Sequence, residues 1–219
     1  MSDTAPAGRK RRPYAPRVPA EQRRAQLLDA ALYLVVTRGH DAVSMQTVAD
    51  QAGVTKPVVY GLFASRAELL AALLRRESAG ALAQVVTALP SKSDPPAPDI
   101  GELLADVLHR FLRAVRANPE RWYCIVMPLP AMPREFHVAR EQARDAVLAH
   151  AKPLATRLLR RLEAPPELEP NIVAQTLVSL FETAARLVLT DPEQYRPERI
   201  VAALRATLGL TRPHTRSTV

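Results

Sequence analysis

Ser44-Met45-Gln46-Thr47-Val48-Ala49-Asp50-Gln51-Ala52-Gly53-Val54-Thr55-Lys56-Pro57-Val58-Val59-Tyr60-Gly61-Leu62-Phe63 is the stretch on which the reading of this chain turns. Ser44 is a residue type that caps helices, and Met45, Val48, Ala49 and Ala52 after it repeat at the spacing of one helical face. Gly53 stands where a helix end wants a left-handed residue. Thr55 is placed to cap a second short helix that tolerates Pro57 in its first turn and closes at Phe63, with Val54 set to pack on Val59 as a hydrophobic staple.

Working outward, Leu28, Ala31, Leu32 and Val35 form one face of a longer helix that begins at Pro19 and stops at Gly39. On the other side, Ser65-Arg66-Ala67-Glu68 has the form of a capping box ahead of Leu69, Leu70, Leu73 and Leu74, so a further helix is expected from Ser65 to about Leu89. Two short helices joined by a glycine turn and braced by a longer one make the arrangement of a DNA-binding helix-turn-helix. Small residues at 49, 52 and 53 let the two helices cross closely.

The Ser44–Phe63 pattern, with Ser65, Arg66, Glu68, Leu69 and Leu70 after it, resembles the DNA-binding signature of the TetR family of regulators. The likeness covers roughly residues 20–76; beyond them only the helical layout is similar. The resemblance implies an all-α fold, a dimer, double-stranded operator DNA as partner, and release by a small molecule. It makes Ser44 a phosphate contact, the helix from Thr55 the recognition helix with Thr55, Lys56, Pro57 and Val58 facing the groove, and Tyr60 and Arg66 further DNA contacts. Gly61 and Ala64 depart from the family pattern, and each departure removes a potential phosphate contact.

Composition agrees with a nucleic-acid partner without requiring one. The 219 residues carry a formal net charge of +8, which suits nucleic acid or an anionic membrane surface. The first 24 residues hold seven basic and two acidic side chains, and Arg9, Lys10, Arg11 and Arg12 form a run. Residues 1–18 show no apolar periodicity and are expected to form a flexible basic arm able to track phosphates or enter the minor groove. An arm without an apolar face argues against a membrane-surface protein. No stretch is read as long and apolar enough to cross a bilayer. The single cysteine, Cys124, excludes an intrachain disulfide and fits a reducing cytoplasm.

The expected organisation is an arm over 1–18, a helix-turn-helix domain over 19–64, a helical ligand-binding and dimerisation domain over 65–210, and a disordered tail over 211–219. Prolines between 90 and 99 mark a linker. Further helices are expected to near Asn118, from Pro119 to about Met127, over 134–162 with Pro153 kinking or dividing it, over 170–190, and from about Ile200 to Gly209. The 170–190 helix carries two adjacent apolar stripes and needs cover on two sides, which a second copy of the chain supplies.

Large adaptable side chains gather at Trp122, Tyr123, Ile125, Val126, Met127, Leu129, Met132 and Phe136. With Phe111 and Phe181 they are either core or the lining of an apolar pocket, to which His109, Tyr123 and Glu182 add polar contacts. His and Cys residues lack metal-ligand spacing, and no acid, base and nucleophile converge, so no cofactor, metal or catalytic residue is expected. A DNA-binding regulator or architectural protein without a small-molecule ligand is the alternative; a pocket filled by side chains favours it.

Overall fold

The computed structural model describes residues 18–90, 99–127 and 134–210. Every regular element among them is helical: α1 Ala20–Arg38, α2 Met45–Gln51, α3 Lys56–Tyr60, α4 Arg66–Ala88, α5 Ile100–Ala117, α6 Pro119–Val126, α7 Arg134–Arg161, α8 Pro170–Thr190 and α9 Pro197–Leu210. A short 3₁₀ turn, His40–Ala42, which the sequence did not suggest, connects α1 to α2. The arm with Arg9, Lys10, Arg11 and Arg12, most of the proline linker, Met132 and the tail lie outside the described residues.

The helix ends follow the capping residues, with differences in detail. The Ser44 hydroxyl accepts the Thr47 N–H at 3.0 Å, and Thr47 Oγ1 accepts the Ser44 N–H at 2.8 Å, so threonine takes the place usual for Glu or Gln in a capping box. At α4 the Ser65 hydroxyl accepts the Glu68 N–H, whereas the Glu68 carboxylate reaches back one residue further, to the Ala64 N–H at 2.7 Å. Asp99 caps α5 through the Glu102 N–H. Thr55 has cap backbone geometry but makes no side-chain cap bond, which leaves its hydroxyl uncommitted to the helix. Pro153 sits inside α7 without dividing it.

Two apolar cores share α4 and α6. The first gathers α1, α2, α3 and the first half of α4, including Leu27, Val48, Val59, Phe63 and Leu73, and also takes Cys124 from α6. The second joins Ala81 and Ala88 of α4 to α5, α8 and Val201 of α9, and takes Trp122 and Val126, also from α6. Opposite faces of α6 therefore point into different cores. Those contacts make α6, together with α4, the mechanical link between the halves of the molecule.

The expectation that no stretch could span a bilayer fails for α8, an 18-residue window of which has a mean hydropathy of 1.5. Its charges, Glu182 and Arg186, fall late in the helix, so the earlier turns are uncharged. One face of α8 packs through Ala174, Ala184, Ala185 and Val188, while Ile172 (57% exposed) and Leu180 (41%) lie on the outside.

Candidate DNA-binding face and effector cavity

Helix α3 is held from beneath and presents its other faces to solvent. Val59 is fully buried in the first core, while Thr55, Lys56, Pro57, Val58 and Tyr60 are exposed, Tyr60 to 50%. Burying a valine contributes about 1.5–3 kcal/mol, so one side chain plus the following Phe63 anchors this five-residue helix. The turn before it depends on Gly53, whose φ of +64° is a conformation that residues with a Cβ rarely adopt. Val54 N–H then bonds back to the Ala49 carbonyl at 2.9 Å, which fixes α3 against α2. On the exposed face Lys56 Nζ lies 5.9 Å from the Tyr60 ring centroid, one helical turn away, so the ammonium and the phenol hydroxyl are presented as one unit.

Two residues assigned to DNA have prior engagements. Arg66 Nε donates to the Val43 carbonyl at 2.6 Å, and its Nη donates to the His40 carbonyl at 2.7 Å. The guanidinium thus braces the chain between α1 and α2 through two of its three nitrogens. Ser44 remains at the start of α2, with its hydroxyl already accepting the Thr47 amide.

Between α4, α5, α6, α7 and α8 lies a cavity of about 960 Å³. Of the residues expected there, Phe111, Trp122, Phe181 and Glu182 line it. Trp122 meets Phe111 edge-on with centroids 4.9 Å apart, and Phe111 lies 5.3 Å from Phe181, forming a continuous aromatic wall. The indole N–H is satisfied by Gln84 Oε1 at 2.8 Å. Tyr123 and Met127 do not line the cavity, because the turns of α6 that do so belong to Trp122, Ile125 and Val126. His109 points away, 3.7 Å from Glu198 of α9. Glu182 is bound through both oxygens by Arg144, so its carboxylate is already neutralised. Phe136 belongs to α7, and Met132 falls outside the described residues.

The sequence reading missed the α7 contribution to this wall, including Arg140 and Arg144. A signal was present: residues 140, 144, 147, 151, 154 and 158 continue one stripe at helical spacing, and only its first two members are charged.

Behind the cavity, Glu77 is 2% exposed yet ionisable, and two arginines answer it. Arg121 Nε of α6 lies 3.0 Å from one oxygen, and Arg76 holds the other while reaching Asp29 of α1 at 2.7 Å. Gly80, one turn on, makes room: a Cβ there would fall 2.6 Å from Arg121 Cζ. Cys124, fully buried beside this group, has its thiol pushed up to about 12 by burial and by the Glu77 carboxylate. It is therefore a core thiol and not a nucleophile.

A short exposed helix on a buried anchor, a glycine turn and a helical companion domain around an apolar cavity make the arrangement found in helix-turn-helix proteins. Residues 27–73 match the model of the bacterial regulatory proteins of the tetR family, and the fold of the described residues is like that of solved regulators of that family. It is 44% identical over 89 residues to the HTH-type transcriptional activator FasR of Mycolicibacterium smegmatis, an alignment covering 41% of this chain and 40% of that one. It is 32% identical over 140 residues to the HTH-type transcriptional repressor BdcR of Escherichia coli, covering 61% and 64%. The chain thus spans less than two thirds of either relative. Among solved structures, FadR from Bacillus subtilis in complex with stearoyl-CoA has a TM-score of 0.67 at 16% identity, covering 84% of this chain and 96% of that one.

Proposed function

We propose that this protein is a transcriptional repressor that binds a near-palindromic operator as a homodimer in the cytoplasm and is released by a small apolar or amphipathic effector. The observation that carries the reading is the pairing of an exposed α3 face with a large apolar cavity through the two helices, α4 and α6, that belong to both cores. Thr55, Lys56, Pro57 and Val58 are assigned to the major groove, Tyr60 and Ser44 to phosphates, and the 9–12 basic run to sequence-independent attraction. The open cavity weighs against a regulator without a ligand. FadR of Bacillus subtilis, with the same fold, was solved with stearoyl-CoA, which supports a chain-bearing effector here. The outer face of α8, with Ile172 and Leu180, supplies apolar surface for a two-fold partner through α8 and α9.

A second reading, activation, is favoured by the match to FasR. The two readings share every contact with DNA, since the sign of regulation depends on where the operator lies relative to the promoter. Selection from a random DNA pool tests what they share. The selected sites are expected to be near-palindromes bound by two chains, with a salt dependence that flattens when residues 1–17 are removed. Recovery of no common sequence would refute the reading.

A further inference from the structure

We propose that the end of the cavity nearest the DNA-binding domain is an oxyanion site, built by Ser78 of α4, Arg140 of α7 and Arg186 of α8, for the head group of a ligand whose apolar chain fills the remainder. The proposal rests on the effector reading above and adds the ligand's charge and its orientation. Three observations carry it. First, Ser78 lines the cavity, and its Oγ is shut off from solvent without a hydrogen-bond partner among the described residues. A hydroxyl left unpaired is costly, and rotation about the Ser78 Cα–Cβ bond would turn it to meet an acceptor in the cavity.

Second, the cations here are unequally satisfied. Arg144 is neutralised by Glu182 and further bonded to Gln175 and Ser179. Among the described residues Arg140 donates only to the Met127 carbonyl, at 3.0 Å, and Arg186 only to the Thr183 hydroxyl, at 2.9 Å. Among the described residues neither has a carboxylate within 4.0 Å. Of the other ionisable side chains on this part of the wall, Glu141 and His137 are exposed at the rim. Burial pushes the Arg140 pKa below the ordinary arginine value, Cys124 and Glu182 oppose this, and Arg186 adds to it. Two neighbouring guanidiniums with no carboxylate in direct contact among the described residues suit an anion better than a neutral ligand.

Third, beyond this end a stretch of the lining is apolar, with Leu82, Val85, Val107, Val147, Leu154 and Val178, before Asp99, His150, Arg157 and Arg161 bring polar groups back to the wall. A head-and-chain molecule matches that division. Arg140 also gives the site a consequence. Its bond to Met127 holds the C-terminal end of α6, so an oxyanion that draws the guanidinium away releases the helix that links the two cores.

The test titrates the full chain with dodecanoate, 1-dodecanol and dodecanoyl-CoA, reading the fluorescence of the lone Trp122 and the thermal midpoint. The wild type is expected to prefer an anionic probe to the alcohol by about ten-fold, the scale of one charge-assisted contact. A gain with dodecanoate assigns the site to a carboxylate, and a gain with the thioester alone assigns it to phosphate. Arg140→Gln with Arg186→Gln should abolish the preference while leaving dodecanol binding unchanged. Ser78→Ala should reduce the preference, and Arg140→Lys should keep most of it. Equal binding of acid, thioester and alcohol by the wild type would overturn the oxyanion site and leave the cavity reading standing. Equal loss of every probe in the variants would also overturn it, as a purely structural effect. Failure of every probe to bind would overturn both.

Discussion

At the scale of single residues, the exposed face of α3 and its buried anchor make opposite demands on substitution. Lys56→Ala and Tyr60→Phe are expected to weaken operator binding, by about 1–3 kcal/mol if Lys56 reaches a base and by less for a phosphate contact alone, with the thermal midpoint unchanged. Fluorescence anisotropy on a selected operator checks this. Arg66→Ala should do the reverse, lowering the unfolding midpoint because the Val43 carbonyl loses its donor, at about 1–3 kcal/mol if left unsatisfied, while the His40 carbonyl keeps only the Val43 N–H. Sequence alone showed that Arg66 belongs to the pattern, but its partners lie 23 and 26 residues earlier, a distance no local spacing reveals. Cys124 gives a pH signature. Its pKa rises from 9.0 to about 12 on folding, so its contribution to stability is complete below pH 9 and is lost as pH climbs toward 12. Denaturant titrations at pH 8 and pH 11 should show a smaller alkaline loss for Cys124→Ala than for the wild type. Equal losses would remove Cys124 from the account.

At the scale of elements, caps and glycines made most helix ends legible, since Ser44, Gly53 and Ser65 act within a few residues of their own positions. The site was less legible because a cavity is a product of packing. Trp122 and Phe181 were recognisable as large apolar groups, yet Tyr123, beside Trp122, faces elsewhere, and Arg140 on the cavity wall was indistinguishable from solvated arginine. The junction of α4 and α6 was not legible at all. Glu77 reads as an ordinary helix-surface residue until Arg121, 44 positions later, arrives against it. Because Gly80 leaves the space that Arg121 occupies, Gly80→Ala should push the guanidinium off Glu77 and leave a buried carboxylate short of a partner. Despite alanine's better helix propensity, of about 1 kcal/mol, the expected result is a lower unfolding midpoint and a weaker response of DNA binding to effector. A midpoint above wild type with an unchanged response would remove this contact from the link between the halves.

At the scale of the whole molecule, the account joins three surfaces: the α3 face, the cavity and the exposed side of α8. Two copies joined through α8 and α9 would present two recognition helices, and a ligand that prefers one spacing of those helices shifts the DNA equilibrium by that preference and no more. A ten-fold change in operator affinity requires about 1.4 kcal/mol of differential binding, and linkage obliges DNA to weaken the effector by the same factor. The chain's length, charge and apolar content allow this arrangement without dictating it, because the dimer face is distinguishable from core only once α8 is seen to leave Ile172 and Leu180 uncovered. The most direct test is a reciprocal titration with a selected operator and a saturating cavity ligand identified through Trp122. The account predicts that the ligand lowers operator affinity at least about ten-fold, and that operator lowers ligand affinity by the same factor. A ligand that fills the cavity at saturation and leaves operator affinity unchanged would contradict it.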